Sequence, residues 1–410
     1  MPRPAEHIAD GSHESVADGL MEKIRGYLAF LEREESARLL TALKEEIEAE
    51  ISVAEGSLAR ELSLTQAIRE TSRFDALAAM HLELNELEMD RFLRVQSVPA
   101  LHSNCTEYRD LLAGKVLGMV EQELAERGSG PAPLPYALVS MGSDGREEQT
   151  LITDQDYLIV YGDGGGEGAD AYFKEFSELL VERLAEIGFK KCTGDIMPSN
   201  PTWRGSLSQW RKKLLAIVRY EYADYAKNLM DLIVLSDARY VAGDAVLAQS
   251  LIEHIRGLEQ DYFQVLWGMA KAATEMKLAL GFLKRFWTEG SGDHKGEFNL
   301  KLLAWAPLVM NVRILSINHG IPATNTIRRI ELLEKERSLS AATAGGLKDA
   351  YHVLTKHRIL LQIKVIKGIN RDSYYLNPYR LPADEREQIR QALLQIEDLQ
   401  KMIHTNFSIM

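Results

Sequence analysis

Cysteine is nearly absent from this chain. Only Cys105 and Cys192 occur in 410 residues, which excludes a disulfide framework and leads to the expectation of a reducing cytoplasm. No run of eighteen apolar residues is present. The nearest, around Leu302 to Ile317, is broken by Asn311 and Arg313, so no membrane span is expected. The opening stretch, MPRPAEHIADGSHES, lacks the apolar core of a signal peptide. A basic excess is missing too. The net charge of −12 argues against a long nucleic-acid footprint, which needs many phosphate-neutralising cations. It does not exclude a nucleotide, because a metal ion and a few local Arg or Lys side chains hold a triphosphate. The glycine-rich GDGGGEG at 162–168 misses the G-x-G-x-x-G spacing and is followed by no βαβ unit, so it reads as a flexible connection.

What is present reads as an α+β chain long enough for two or three domains. Residues 1–60 form an N-terminal helical segment, with Ile24, Leu28 and Leu31 on one face and Leu39, Leu43, Ile47 and Ile51 continuing at four-residue steps. That segment is either a hairpin for homodimerisation or partner docking, or a helical pair packed on its own protein. Residues 61–130 are again helical, and the Gly/Pro stretch 128–135 marks a domain edge. An αβ domain follows at 131–257. Its strands are expected at Tyr136 to Met141, Asp156 to Tyr161 and Leu229 to Leu235, flanked by helices. Residues 258–410 show helical patterns at 260–287, 298–318, 325–336, 341–367 and 384–405, and no strand, so a helical bundle is expected.

The chemistry concentrates in YALVSMGSDGREEQTLITDQDYLIVY, residues 136–161. Asp154 and Asp156 are two apart, so on a strand they share a face and repel unless a cation lies between them. A hard divalent ion, Mg²⁺ or Mn²⁺, suits two carboxylates. Gly142 allows close backbone approach, Ser143 offers a hydroxyl, and Arg146 supplies a fixed cation for phosphate. A third carboxylate is expected from the run at 229–235. Asp231 opens that run and Asp237 lies just past its end. They stand roughly 20 Å apart on a strand, so only one serves the metal, and Asp237 is the expected one.

Gly-Ser, a gap of ten residues (144–153) and then Asp-x-Asp resembles the signature of the DNA polymerase β-like nucleotidyltransferase superfamily. The fuller string GSDGREEQTLITDQD resembles one branch of it, nucleotidyltransferases similar to protein-PII uridylyltransferases. The resemblance covers roughly 65–370. It implies a small polymerase β-like mixed sheet between N-terminal helices and a C-terminal substrate-binding helical domain. It implies Mg²⁺-dependent transfer of a nucleoside monophosphate from an NTP to an acceptor hydroxyl, on a regulatory protein or a small molecule. The rival reading is a non-catalytic nucleotide-binding regulator.

Other segments resemble the same family. SDARYVAGD at 236–244 places the family's Asp on Asp237 and its Arg on Arg239, with Ser236 and Tyr240 as departures. In CTGDIMPSNPTW, Cys192, Asn200, Pro201 and Trp203 match, while Asp195 replaces a glycine. Asn200, Trp203 and Arg204 become nucleotide-binding candidates. Trp203 either stacks a base or anchors a loop. Further on, Lys301, Arg313 and Arg358 fall at positions implied to bind substrate. As charges on apolar helices, Arg313, Arg358 and the nearby Gln362 are either structural anchors or substrate contacts.

Overall fold

The computed structural model describes residues 33–219 and 225–409. Residues 15–32 of the expected N-terminal hairpin lie outside them. Contacts divide the chain into two compact units, one up to Leu64 and one from Thr65 to Met410. The first unit contributes most of helix α1 (Arg33–Glu70), whose charged residues fill the positions between apolar ones at three- and four-residue steps.

The second unit begins with the antiparallel pair α2 (Phe74–Val95) and α3 (Val98–Glu126). Ser97 caps α3 by accepting from the Ala100 amide, and Pro99 sits in the first turn, where its missing N–H costs nothing. The chain reverses through Gln96, whose φ of 54° is the left-handed cap of α2. α3 is buried along its length, from Leu101 and Cys105 to Val120 and Leu124, because it lies between α2, the sheet and a later helix.

The sheet joins β1 (Tyr136–Ser140), β3 (Tyr157–Tyr161), β5 (Arg204–Ser206) and β6 (Arg239–Gly243) in the order β5-β3-β1-β6. β1 is antiparallel to both β3 and β6, and β3 is parallel to β5. β1, which runs into the short helix α4 (Gly142–Gly145), and β3 are almost wholly buried because helices cover the sheet, including α5 (Gly166–Glu186). A second small ladder pairs β2 (Asp154–Gln155) with β4 (Lys190–Lys191).

The first two strands form where the sequence places them. The third does not. Leu229 to Leu235 belongs to helix α7 (Tyr225–Leu235). Leu229, Leu232 and Ile233 are buried while Met230 is exposed, a helical rather than an alternating pattern. Short apolar runs do not distinguish the two by themselves. Asp231 makes an i,i+4 pair with Lys227 (3.1 Å), which only a helix allows. The actual third strand of the central ladder is β6, which begins just after Asp237.

Helix α6 (Leu207–Val218) starts at a capping box of Ser206 and Gln209, and α8 (Ala245–Asp261) is capped by Asp244. The bundle comprises α9 (Phe263–Thr274), α10 (Ala306–Asn318), α11 (Thr326–Lys335), α12 (Ala341–Ile366) and α13 (Ala383–Asn406). α10 is buried from Pro307 to Ile317 except at Met310 because it is central, and its polar Asn311, Arg313 and Ser316 are all hydrogen-bonded. Among the described residues no helix is long and apolar enough to cross a membrane. The pattern at 260–287 ends early, at Thr274. Beyond it come a hairpin bridged at Leu280 and Phe286 and a two-residue ladder of β7 (Phe298–Asn299) with β8 (Tyr375–Leu376).

Candidate active site

Antiparallel pairing sets the site. Ser140 at the end of β1 lies opposite Tyr157 at the start of β3, and the Met141 amide donates to the Asp156 carbonyl (2.8 Å). Gly142 and Ser143 leave β1 at the same sheet end where Asp154 and Asp156 enter β3. A side chain at Gly142 would collide with the Asp156 carboxylate, and its φ is +59°, so glycine is required twice over. The intervening Gln155 is fully buried on the opposite side and donates to the Val181 and Phe189 carbonyls (3.1 Å each). The two aspartates therefore share a face, as their spacing requires.

That face opens into a cavity of about 380 Å³. Gly142, Ser143, Arg146, Asp154 and Asp156 line it from the sheet side; Lys301, Trp305, Arg358, Arg371 and Tyr374 line it from the bundle. Lys301 and Trp305 begin and end a π-helical turn that leads into α10. Such turns are often retained at functional sites. The Arg358 guanidinium lies 3.9 Å from the Trp305 ring centre, and the Lys301 ammonium 5.4 Å from that of Tyr374. Among the described residues neither cation has a carboxylate partner. Burial lowers the Lys301 pKa, helped by Arg358 and opposed by Asp154 and Asp156. Burial likewise brings Arg358 down to about 10. Asp156 is shifted up, chiefly by burial and also by Asp154, against a thiol hydrogen bond from Cys192 and the charges of Arg146 and Lys301. The cavity thus carries Asp154 and Asp156 side by side and, across from them, Lys301 and Arg358, which make no ion pair among the described residues, with Glu148 and Asp372 also in its lining.

Asp237 does not join the pair. Its carboxylate is fully buried and accepts from three arginines: Arg146 Nη1 (2.6 Å), Arg329 Nη1 (3.1 Å), and Arg313 Nε (3.1 Å) and Nη2. Burial alone would raise its pKa, yet Arg313, Arg146 and Arg329 outweigh burial and hold it down at about 2. With both oxygens taken, it is a structural counter-ion rather than the expected metal ligand. Arg313 belongs to this cluster and not to the cavity. Arg146 belongs to both, and also binds Glu148 Oε2 through Nε (2.8 Å). Nor does the structure bring Asn200, Trp203 and Arg204 to the cavity. Asn200 caps a short turn by accepting from the Thr202 amide, and Arg204 Nη1 donates to the Pro198 and Ser199 carbonyls. Trp203 is buried 6.5 Å from the Trp210 ring, with the Lys213 ammonium over both rings, so it anchors its loop.

Two family models match this chain. One, described as "Putative nucleotidyltransferase DUF294", matches residues 83–224. The other, "Putative nucleotidyltransferase substrate binding domain", matches residues 263–407 and takes in the bundle. The chain belongs to this nucleotidyltransferase family. No curated protein matches it.

In this family member the donor set fits a hard divalent ion. Two adjacent carboxylates open onto the cavity, and Gly142 leaves the space beside Asp156 clear. Among the described residues no third His, Cys, Asp or Glu completes a protein cage. Mg²⁺ commonly binds this way, through one or two carboxylates with substrate phosphates and water completing its sphere. Several lining residues escaped the sequence reading: Trp305, Arg371, Tyr374 and Lys190, which pairs across the ladder from Asp154. The only signal for Arg371 and Tyr374 was a polar-aromatic loop, NRDSYY, just past a long helix.

Proposed function

We propose that this nucleotidyltransferase moves a nucleoside monophosphate from an NTP to an acceptor hydroxyl, with Mg²⁺ or Mn²⁺ held by Asp154 and Asp156. The observation that carries the reading is the single cavity in which this acid pair faces Ser143, Lys301, Arg358 and Arg371. In the reaction the acceptor hydroxyl gives up its proton to solvent, its oxygen bonds to the α-phosphorus, the bond from that phosphorus to the oxygen bridging to the β-phosphate breaks, and pyrophosphate leaves with that electron pair. The divalent ion, when bound, neutralises triphosphate charge and acidifies the acceptor hydroxyl. The chain's own part is positional. Asp154 and Asp156 hold the ion on one side. Lys301, Arg358 and Arg371 take phosphate oxygens on the other, and Gly142 and Ser143 allow close approach of backbone and hydroxyl. The acceptor is proposed to be a hydroxyl on a regulatory protein, in keeping with the resemblance to protein-PII uridylyltransferases.

One observation favours a second reading, a nucleotide-binding regulator without turnover: Asp237, the expected third ligand, is sealed among arginines. Incubating the chain with a cell lysate, Mg²⁺ and each α-labelled NTP separates the two. Label on a macromolecule supports the transferase with a protein acceptor, and label on a metabolite moves the acceptor to a small molecule. Tight NTP binding with no label transferred supports the regulator.

A further inference from the structure

A nucleoside triphosphate has a flat base as well as phosphates, and the cavity of the acid pair offers few places to hold one. Two aromatic rings line it among the described residues, Trp305 and Tyr374. Trp305 is taken. Only 5% of it is exposed, and its indole N–H donates to Thr355 Oγ1 (3.0 Å). The Arg358 and Arg146 guanidiniums lie 3.9 Å and 5.5 Å from its ring centre. Trp203, the ring expected from sequence, is buried away from the cavity. Tyr374 differs, with 43% of its surface exposed. Its backbone is nevertheless fixed. The amide donates to Asp372 Oδ1 (2.9 Å) and the carbonyl accepts from the Leu300 amide (2.8 Å). The next residue, Tyr375, pairs with Asn299 across the β7–β8 ladder and stacks on His294, the ring centres 3.5 Å apart. The Lys301 ammonium, 5.4 Å from the Tyr374 ring centre, places that ring beside the cations of the cavity. An open ring on a pinned backbone loses little freedom when a flat ligand covers it. Every base has a π-face, so such a ring holds a base without reading its edge.

We propose that Tyr374 is the platform for the nucleobase, which stacks on its ring while Lys301, Arg358 and Arg371 take the phosphates. The inference rests on the reading of this cavity as an NTP site. Its test therefore measures binding without turnover and includes a ligand that has phosphates but no base. Isothermal titration of the full chain, with Mg²⁺ and no acceptor, uses ATP, UTP and inorganic tripolyphosphate. Tyr374→Ala is expected to weaken ATP and UTP by about tenfold or more, the size of one base–aromatic stack, and to leave tripolyphosphate unchanged. Tyr374→Leu keeps the bulk without the π-face and is expected to follow Tyr374→Ala. Tyr374→Phe keeps the ring and is expected to bind all three ligands as the unaltered chain does. Unchanged melting temperatures show that the variants are folded. ATP and UTP bound at full strength by the Ala or the Leu variant would overturn the proposal. So would a parallel loss of tripolyphosphate, which makes the ring a support for Lys301 alone. Either result leaves the NTP reading standing. An unaltered chain that binds neither NTP nor tripolyphosphate overturns that reading, and the stacking with it.

Discussion

Asp156 and Asp237 approach the same end of β1 from opposite flanks, one just before β3 and one just before β6. By sequence they look equivalent, an acid beside a strand in a stretch that resembles the same family. Their surroundings differ. Asp156 stands next to another carboxylate at an open cavity, where burial and Asp154 raise its pKa more than Cys192, Arg146 and Lys301 lower it. Asp237 sits in a closed cluster where three guanidiniums more than offset burial. An acid that has spent both oxygens on fixed cations contributes stability, and one left facing unpaired cations across a cavity is available for chemistry.

The largest expected effect breaks the open side of this contrast. Asp154→Asn or Asp156→Asn should lower transfer by roughly a thousandfold or more, since losing a metal ligand costs several kcal/mol of transition-state stabilisation. Melting temperature should hardly change, and labelled-NTP assays alongside thermal melts check both halves. Next comes the closed side. Asp237→Asn leaves three buried arginines short of a counter-charge and should cost about 3–5 kcal/mol of stability, read by urea unfolding. Arg146→Ala should behave similarly, because its partners are Asp237 and Glu148. A smaller effect sharpens the phosphate assignment. Ser143→Ala and Arg358→Gln should raise the KM for NTP by about tenfold with kcat little altered, since both meet charge already present in the ground state.

The smallest effect is in pH dependence. Asp237 titrates at about 2 when folded, below its ordinary 3.8. Its contribution is therefore complete above 3.8 and lost as pH falls through about 2. Glu259 behaves oppositely. Buried, with one carboxyl oxygen unpartnered, it is pushed from 4.5 up to about 8, chiefly by burial. Between those values the folded chain keeps a proton that the unfolded chain releases, so stability falls as pH rises. Glu259→Gln should flatten that slope in melts from pH 5 to pH 8.

The front of the site was legible because it is local. Gly142, Ser143, Asp154 and Asp156 follow from strand alternation and a glycine-bearing turn, and Lys301 and Arg358 entered through the family resemblance. Asp237 was misassigned because nothing in its own segment names its partners. Arg146, Arg313 and Arg329 come from positions 91, 76 and 92 residues away. The helix at Tyr225–Leu235 was missed because seven apolar-rich residues were read without the Lys227–Asp231 pair that fixes their period. Trp305 on its π-helical turn and Tyr374 in the loop beyond α12 are brought together by long-range packing, which no local pattern encodes.

The central claim is that the acid pair is catalytic and Asp237 is structural. The most direct test compares Asp156→Asn with Asp237→Asn in one experiment, at a temperature low enough to keep both folded, measuring label transferred from α-labelled NTP per folded molecule. The account predicts no transfer from the first, and measurable transfer from the second with a lowered melting temperature. A stable Asp237→Asn protein without transfer, beside an active Asp156→Asn protein, would contradict it.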